Sequence, residues 1–470
     1  MEPNDSTRRQ FLGGAALTAS LAASAEAAKK PKITVKPNTR VLGSNDRINL
    51  AFIGNGMQFY GLLDRGFKPR KEKKNDFAYA AVCDVWEPRV KKAQEVTQAE
   101  KTYRNFHDVL ARPDIDGVVI AVPDHWHFAV ASEALLAGKD VYLEKPMTYT
   151  IPEAAKLNDL VGQTKRVLQV GGTGPSTRLY WKANEYIKSG KMGKVLWGLI
   201  SYNRNTREGM WDYPIPGVGG EHWPDAEVSP GKNLDWNMWL GPAKKRPFSA
   251  ERYFRWRKYW DYSGGNATDL LYHRLGMMST MIGFDFPTRV TSAGGIYVQK
   301  NREVPDTYMT MVEFPGDYAV NMISCMGNQT SAPMSVYGNW GTLQIADGQM
   351  AGDAMGDLRR GAPGGGGRPR QAAVIRAERQ FEKEFKEANG GKTEVVIEPE
   401  PSTDLADDWL DCMRTRGTPV YNVLRGYQVM VAIRLGVDSY RLGRTMAFDP
   451  AARRVLDRVP PHKEYLPKES

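Results

Sequence analysis

Cysteine is scarce in this 470-residue chain, with only Cys83, Cys325 and Cys412. Three widely spaced thiols form no disulfide framework, and without a Cys-x-x-Cys pair they offer neither a zinc ribbon nor a thioredoxin-type redox centre. Histidine is also rare: there are six, and no His/Cys cluster has zinc spacing, so no metal is expected. His125 and His127 sit two apart and can in principle share a metal. At a strand end they read instead as lining a ligand pocket. No apolar run reaches the roughly 18–20 residues needed to cross a bilayer, which argues against an integral membrane segment. Internal repeats are absent. Basic residues exceed acidic ones, 64 to 54, for a formal charge of +10. The excess is scattered over Lys68–Lys74, Lys244–Arg246, Arg252–Lys258 and Arg359–Arg370, with no aromatic-interleaved stripe to hold a nucleic acid. These runs read as solvated faces, and they leave room for attraction to anionic sugars.

A hydrophobic content of 41% is ordinary for a globular protein, and the length suffices for two domains. The first residues read as an address. Ser6-Thr7-Arg8-Arg9-Gln10-Phe11-Leu12 resembles a twin-arginine signal, a weakly apolar stretch follows, and Ala25-Glu26-Ala27 fits a small-residue cleavage site. The expectation is a signal peptide over 1–27, a linker over 28–47 and a periplasmic or otherwise extracytoplasmic protein. Twin-arginine export carries folded cargo, which suits a protein that acquires a cytoplasmic nucleotide before leaving.

Past the linker the chain alternates strands with helices, the pattern of a parallel sheet. A buried-type strand over Ile48–Ile53 runs into Gly54-Asn55-Gly56-Met57-Gln58-Phe59-Tyr60-Gly61. This is most of a dinucleotide-binding turn, with Gly54 for the tight turn and Gly56 for close approach of a pyrophosphate. Phe59 occupies the third glycine position, so the pattern alone also fits an ordinary strand–turn–helix. The next strand, Phe77–Val82, ends at Cys83-Asp84. A carboxylate there accepts ribose hydroxyls and repels a 2′-phosphate, favouring NAD over NADP. Its separation from the glycines exceeds the usual ~20 residues, and Lys68 to Asp76 reads as an inserted loop. Two more strand ends carry Pro123-Asp124-His125-Trp126-His127 and Glu144-Lys145-Pro146. In open α/β sheets that carboxyl edge is where ligands bind. A helix capped by Thr150 and a strand over Val167–Val170 close this domain at residue 171.

From 172 to 450 the pattern changes to strands at Val195–Tyr202, Val290–Val298, Tyr308–Phe314, Ala319–Cys325 and Met334–Tyr337, separated by turns. A largely antiparallel sheet is expected. An aromatic-rich connection over Asn233–Asp261 holds Trp236, Trp239, Trp256 and Trp260. Gly361 to Arg370 reads as a loop. Two amphipathic helices, Thr403–Arg416 and Val423–Leu442, precede a tail over 451–470. After Gly264-Gly265, Asp269 and His273 stand four apart, on one helix face. Such a pair can transfer protons, the carboxylate orienting the imidazole. The same spacing fits a helix-start carboxylate bonded to backbone amides beside a core histidine.

Taken together, these segments resemble the glucose–fructose oxidoreductase / inositol dehydrogenase (Gfo/Idh/MocA) family. The motifs carrying the resemblance are the Gly54/Gly56 turn, Cys83-Asp84-Val85, Pro123 to His127, Glu144-Lys145-Pro146, Leu234-Asp235-Trp236, Trp239-Leu240-Gly241-Pro242, Phe254-Arg255-Trp256-Arg257, Thr268-Asp269 with His273, and Tyr440 to Gly443. The twin-arginine signal and the Trp/Arg segment point to its exported branch. The resemblance implies an α/β protein, a Rossmann doubly wound parallel sheet followed by an α/β domain on an open antiparallel sheet, and a homo-oligomer. It also implies NAD, less readily NADP, held tightly by Gly54, Asn55, Gly56, Met57, Gln58, Asp84, Pro123, Asp124, His125, Trp126, His127, Glu144, Lys145, Trp256 and Arg257. Lys145, Asp269 and His273 would form the catalytic set. Oxidising an alcohol needs a base for the hydroxyl proton, for which His273 is first choice; Lys145 would steady the alkoxide and Asp269 orient either one. The implied substrate is a secondary hydroxyl of a sugar, glycoside or cyclitol. A redox-neutral NAD-dependent glycoside hydrolase is the alternative, and a non-catalytic sugar or nucleotide binder a second one. Departures at Phe59, Tyr272, Gly276 and Gly174-Pro175-Ser176-Thr177 imply an unusual substrate.

Overall fold

The computed structural model describes residues 46–172, 174–213, 215, 227–346 and 372–462. The twin-arginine segment, nearly all of the linker, the Gly361–Arg370 loop and residues 463–470 lie outside the described residues.

The first sheet contains β1 (Ile48–Ile53), β2 (Phe77–Cys83), β3 (Lys101–Tyr103), β4 (Gly117–Ile120), β5 (Asp140–Leu143) and β6 (Leu168–Val170). Their order is β3-β2-β1-β4-β5-β6, and all pairs are parallel. Chain direction across the sheet reverses between β1 and β4, the switch point at which doubly wound sheets open a crevice for ligands. β4 and β5 are buried at every residue, as expected of strands covered by helices on both faces.

Lys68 to Asp76 is not the loop expected from its charge. Lys68–Lys74 is an α-helix that continues from the helix Met57–Leu62 through a π-helical turn at Leu63–Phe67. Arg70 explains its stability, since its guanidinium is only 2% exposed and reaches Asp76, Asp407 and Asp411 at 2.6, 3.2 and 2.7 Å. Two of those carboxylates come from the helix Leu405–Thr415, far along the chain.

Among the described residues the second sheet has ten strands: β7 (Val195–Ser201), β8 (Arg289–Gly295), β9 (Thr307–Phe314), β10 (Tyr318–Cys325), β11 (Met334–Gly338), β12 (Gly341–Ala346), β13 (Ala372–Ala377), β14 (Glu394–Ile397), β15 (Met446–Asp449) and β16 (Arg454–Leu456). The order is β14-β13-β12-β11-β7-β10-β9-β8-β15-β16, with only β7 and β10 parallel. The stretch expected as a tail thus supplies an edge strand, β16, paired to β15. The long helix Val423–Leu442 packs on both sheets' elements, touching β8 on one side and the helix Ile151–Thr164 on the other. Trp409, fully buried, adds its ring to Phe67 and Tyr142 of the first domain. The C-terminal helices therefore complete the core of the N-terminal domain, which a linear boundary at residue 171 does not convey.

Candidate active site

The cavity at the switch point is lined by residues following four parallel strands: Gly54 and Gly56 after β1, Asp84 after β2, Pro123 and Asp124 after β4, Glu144 and Lys145 after β5. Gly54 has φ +89°, and a Cβ built on it would lie 2.7 Å from the backbone of Ala121 and 2.8 Å from Val122 N. Only glycine fits where β1 turns over β4. Gly56 differs: a Cβ there would meet nothing closer than the Arg89 guanidinium at 3.9 Å, so its missing side chain leaves open space on the cavity wall. A strand-to-helix turn with one glycine required by packing and one open to the cavity fits a dinucleotide phosphate. Phe59, at the third glycine position, points into the core against Phe52 and does not line the cavity.

Asp84 is held from both sides. Its carboxylate accepts from the amides of Asn55 (2.8 Å) and Trp86 (3.0 Å), with Arg89 at 4.0 Å. Asn55 is fully buried and contributes through that amide; its side chain does not line the cavity. Met57 and Gln58 do line it, and Gln58 donates to Glu144 at 2.9 Å. His125 and His127 stand behind the wall, contrary to the expectation. The His125 ring is packed among Trp126, Trp239 and Tyr262 and engages the Trp239 carbonyl at 3.1 Å. The His127 ring bridges the carbonyls of Val122 and Pro146 and so ties together the ends of β4 and β5. Burial pushes the His125 pKa down to about 3 and that of His127 downward as well. Both serve structure through these backbone carbonyls, and among the described residues no cluster of three metal-ligating side chains occurs.

The aromatic connection forms the facing wall. It is anchored beside β2 by backbone bonds from Glu87 to Asn233 and from Asp235 to Val85. Trp126 Nε1 donates to the Trp239 carbonyl at 2.8 Å, so one carbonyl collects both the histidine and the tryptophan of the Asp-His-Trp-His stretch. Tyr213, Met238, Trp239, Tyr253, Phe254 and Trp256 complete the apolar lining. Arg257 arrives on the same segment, which is fixed by fully buried Lys258 bridging Asp212 (2.6 Å) and Glu251 (2.7 Å).

The chemistry centres on Asp269. It lies in a π-helical turn, Ala267–Leu271, inserted before the helix Tyr272–Ile282. Such bulges often mark functional positions. Its Oδ1 accepts from Lys145 Nζ at 2.9 Å and from Arg257 Nε at 3.0 Å, and its backbone carbonyl also accepts from Lys145 at 2.8 Å. Burial alone would raise the carboxyl pKa, but the two cations overcome it and hold Asp269 well below the usual carboxylate range. Of the two orienting roles open to it, Asp269 performs the one directed at Lys145. His273 lies near Gly172, past the end of β6, with its Nδ1 3.8 Å from where a Cβ on that glycine would be. Burial, and then the charge of Lys145, depress its basicity well below that of a free histidine against the opposing pull of Asp269.

Asp124 has a role that the sequence did not reveal. It is 4% exposed and accepts from Thr268 Oγ1 at 3.1 Å. Burial raises its pKa to about 7 against the pull of Arg257 and Lys145. Arg89 and Arg104 also line the cavity unforeseen. The only hint of Arg89 was its place one turn beyond the Asp84 strand end.

Comparison with known proteins agrees with this architecture. Residues 17–172 match the model of an oxidoreductase family, NAD-binding Rossmann fold, and residues 182–318 match that family's C-terminal alpha/beta domain. An uncharacterised oxidoreductase of Schizosaccharomyces pombe is 34% identical over 160 residues, 32% of this chain and 43% of that protein, so the match spans less than half of that relative. Glycosyl hydrolase family 109 protein 2 of Shewanella sp. (strain ANA-3) is 27% identical over 328 residues, 60% of this chain and 69% of its own length. Levoglucosan dehydrogenase, solved in complex with NADH, shares the fold with TM-score 0.56 and 17% identity, over 85% of this chain and 98% of that one. Two family models in sequence, matched to a Rossmann sheet and a ten-stranded α/β domain, place the chain in the Gfo/Idh/MocA family of NAD(P)-binding oxidoreductases.

Proposed function

We propose that this protein oxidises a secondary hydroxyl of a sugar, glycoside or cyclitol, using NAD. The observation that carries the reading is the Lys145–Asp269–Arg257 cluster at the carboxyl edge of the parallel sheet, with His273 close enough to feel the charge of Lys145. A nicotinamide held by the Gly54/Gly56 turn, Asp84 and the aromatic wall would supply the hydride acceptor. The proton falls to this chain. Lys145, aimed by Asp269, offers a fixed cation to a hydroxyl oxygen as it loses its proton, and His273 accepts that proton. Asp84 at the β2 end favours NAD, since a 2′-phosphate would meet its carboxylate.

The test is nicotinamide fluorescence of the purified chain with sugars, cyclitols and aryl glycosides. A lasting rise with one class supports the dehydrogenase. The family 109 relative favours a second reading, a redox-neutral glycoside hydrolase. Aglycone release without lasting NADH would select it. Silence across the panel with nucleotide bound would favour a binder. The proposal extends to export by the twin-arginine route, on the strength of Ser6 to Leu12. N-terminal sequencing of extracytoplasmic protein should find a start just after Ala27; a cytoplasmic, uncleaved chain would refute it.

A further inference from the structure

Asp124 stands past the end of β4 and lines the cavity, yet the chemistry assigned to Lys145 and His273 gives it no part. Its buried carboxylate accepts from Thr268 Oγ1 at 3.1 Å, across 144 residues of chain. The other contacts of that hydroxyl are local. Gly264 N donates to it at 3.0 Å, and Ser263 Oγ lies 3.3 Å away. With one lone pair taken by the Gly264 amide, the hydroxyl proton needs an acceptor, and Asp124 is closer than the Gly265 carbonyl at 3.5 Å. Thr268 belongs to the π-helical turn Ala267–Leu271 and directly precedes Asp269.

That turn is mounted at three points. Fully buried Asn266 directs Nδ2 at Ser324 Oγ of β10 (3.2 Å) and at the carbonyls of Asp306 and Ser324 (3.4 Å each). Thr268 reaches the end of β4, and Asp269 reaches Lys145 past the end of β5 and Arg257 on the aromatic connection. β4 and β5 are hydrogen-bonded neighbours, so their ends offer adjacent anchors to consecutive residues of the turn. Lys145 Nζ is held by both Oδ1 and the backbone carbonyl of Asp269, at 2.9 and 2.8 Å, so any shift of the turn's backbone carries the ammonium with it. An anchor one residue away opposes that shift. Misplacement of a reacting group by about 1 Å can cost about 10²-fold in rate.

We infer that Asp124 and Thr268 are positioning residues: their hydrogen bond clasps the π-helical turn to the end of β4 and thereby fixes where Asp269 holds the Lys145 ammonium. The inference rests on the reading of Lys145 as the cation that meets the reacting oxygen, but the clasp itself can be tested without turnover.

The experiment is carbamylation of Lys145 by cyanate in the nucleotide-free full chain, followed by peptide mass spectrometry under mildly alkaline conditions that ionise Asp124. An amine reacts faster once released from its partners. Lys139, fully buried just before β5 with Nζ on the carbonyls of Arg112 (2.6 Å) and Ile115 (2.9 Å), reports general loosening in the same digest. Thr268→Val keeps the branched shape and every charge but removes the hydroxyl. Lys145 should then react about tenfold faster, the worth of one hydrogen bond to an ionised acceptor, with Lys139 unchanged. Thr268→Ser should restore the wild-type rate. In an Asp269→Asn background the effect of Thr268→Val should shrink, because both changes release the same ammonium. Should Thr268→Val fail to fold, the other side of the bond gives the same comparison. Asp124→Asn keeps an acceptor and Asp124→Ala does not, so at equal charge only Asp124→Ala should speed Lys145. An unchanged Lys145 rate in folded Thr268→Val, Thr268→Ser reacting as fast as Thr268→Val, a full effect in the Asp269→Asn background, or equal rates in the two Asp124 variants overturns the inference. Silence of the sugar, cyclitol and glycoside panel with the Lys145 response intact sinks the oxidoreductase reading and leaves the clasp standing. Turnover in a chain whose Lys145 is indifferent to Thr268 does the reverse.

Discussion

Gly54 and Gly56 stand two residues apart in one turn, yet the same alanine substitution should damage them in different ways. At Gly54 the backbone has φ +89°, where a side chain costs about 1–2 kcal/mol. The new methyl would also overlap Ala121 C and O at 2.7 Å and Val122 N at 2.8 Å. Those are backbone atoms beyond β4 and cannot rotate aside, so overpacking adds about 1–3 kcal/mol. Gly54→Ala should therefore lose ~2–5 kcal/mol of stability, lowering the melting temperature of the cofactor-stripped protein by ~2–5 °C. Gly56 has φ −78°, ordinary for any residue, and caps the helix Met57–Leu62. Alanine loses a little as an N-cap and gains by restricting the unfolded chain, so stability should stay within about 1 kcal/mol. Its methyl, however, would point into the space a pyrophosphate needs. At ~1–3 kcal/mol of crowding, NADH should bind ~5- to 150-fold more weakly. Differential scanning calorimetry without nucleotide and fluorescence titration with NADH separate the two effects. A Gly54→Ala protein melting within a degree of wild type would refute the close approach of β1 to β4. Unchanged NADH affinity in Gly56→Ala would refute a nucleotide at this turn.

Five further outcomes follow from the structure. Asp124, with a pKa raised to about 7, is neutral below that pH and ionised above it. Because a negative charge favours a cationic nicotinamide, NAD should bind more tightly at pH 8 than at pH 6, and Asp124→Asn should flatten that dependence in a titration series. The folded state holds this proton more firmly than the unfolded chain, so the Asp124 contribution to stability should decline as pH rises from about 4 to about 7 and then level off; pH-dependent melting of wild type against Asp124→Asn checks the sign. Lys258→Met removes the buried ammonium between Asp212 and Glu251, both of which keep Arg255, so it should cost ~1–3 kcal/mol and loosen Arg257, seen as lower melting temperature and weaker NADH binding together. His273→Ala should abolish turnover in the substrate panel while NADH affinity holds; loss of both would assign the residue to the pocket rather than to proton transfer. Thr150→Ala removes a capping box and should cost about 1 kcal/mol in thermal unfolding with no effect on nucleotide affinity.

The parts of the fold that were legible in sequence are those whose own residues dictate their state. β1 is a continuous apolar run bounded by glycine, and the helix Val423–Leu442 has a long buried face, an Asn422 cap and Gly443 at its end. Both have the bounds expected of them. β3 and β14 were not read as strands because they are short and carry exposed residues at the sheet edges, where pairing rather than burial makes the strand. Lys68–Lys74 misled for a different reason. Its composition, almost wholly charged, gives no apolar period, and the reason it is helical lies in Asp407 and Asp411, whose positions no local pattern reveals.

The same division governs the site. Gly54, Asp84, Asp124 and Lys145 announce themselves because strand ends of a parallel sheet must converge, so sequence order translates directly into proximity. What joins them to the second domain does not translate in this way. Asp269 and His273 suggest a dyad by spacing, but a π-helical turn and two cations from distant segments commit Asp269 to Lys145 and Arg257. Conversely, His125 and His127 carry the residue type most associated with catalysis, yet satisfy backbone carbonyls that hold β4, β5 and the aromatic wall in place. Residue type nominates candidates, and partners decide among them. A histidine whose ring nitrogens meet carbonyls of the scaffold has already been spent on structure, whereas His273, whose basicity burial and the Lys145 charge depress, sits on the same face as the Asp269–Lys145 pair and is the one the His273→Ala test addresses.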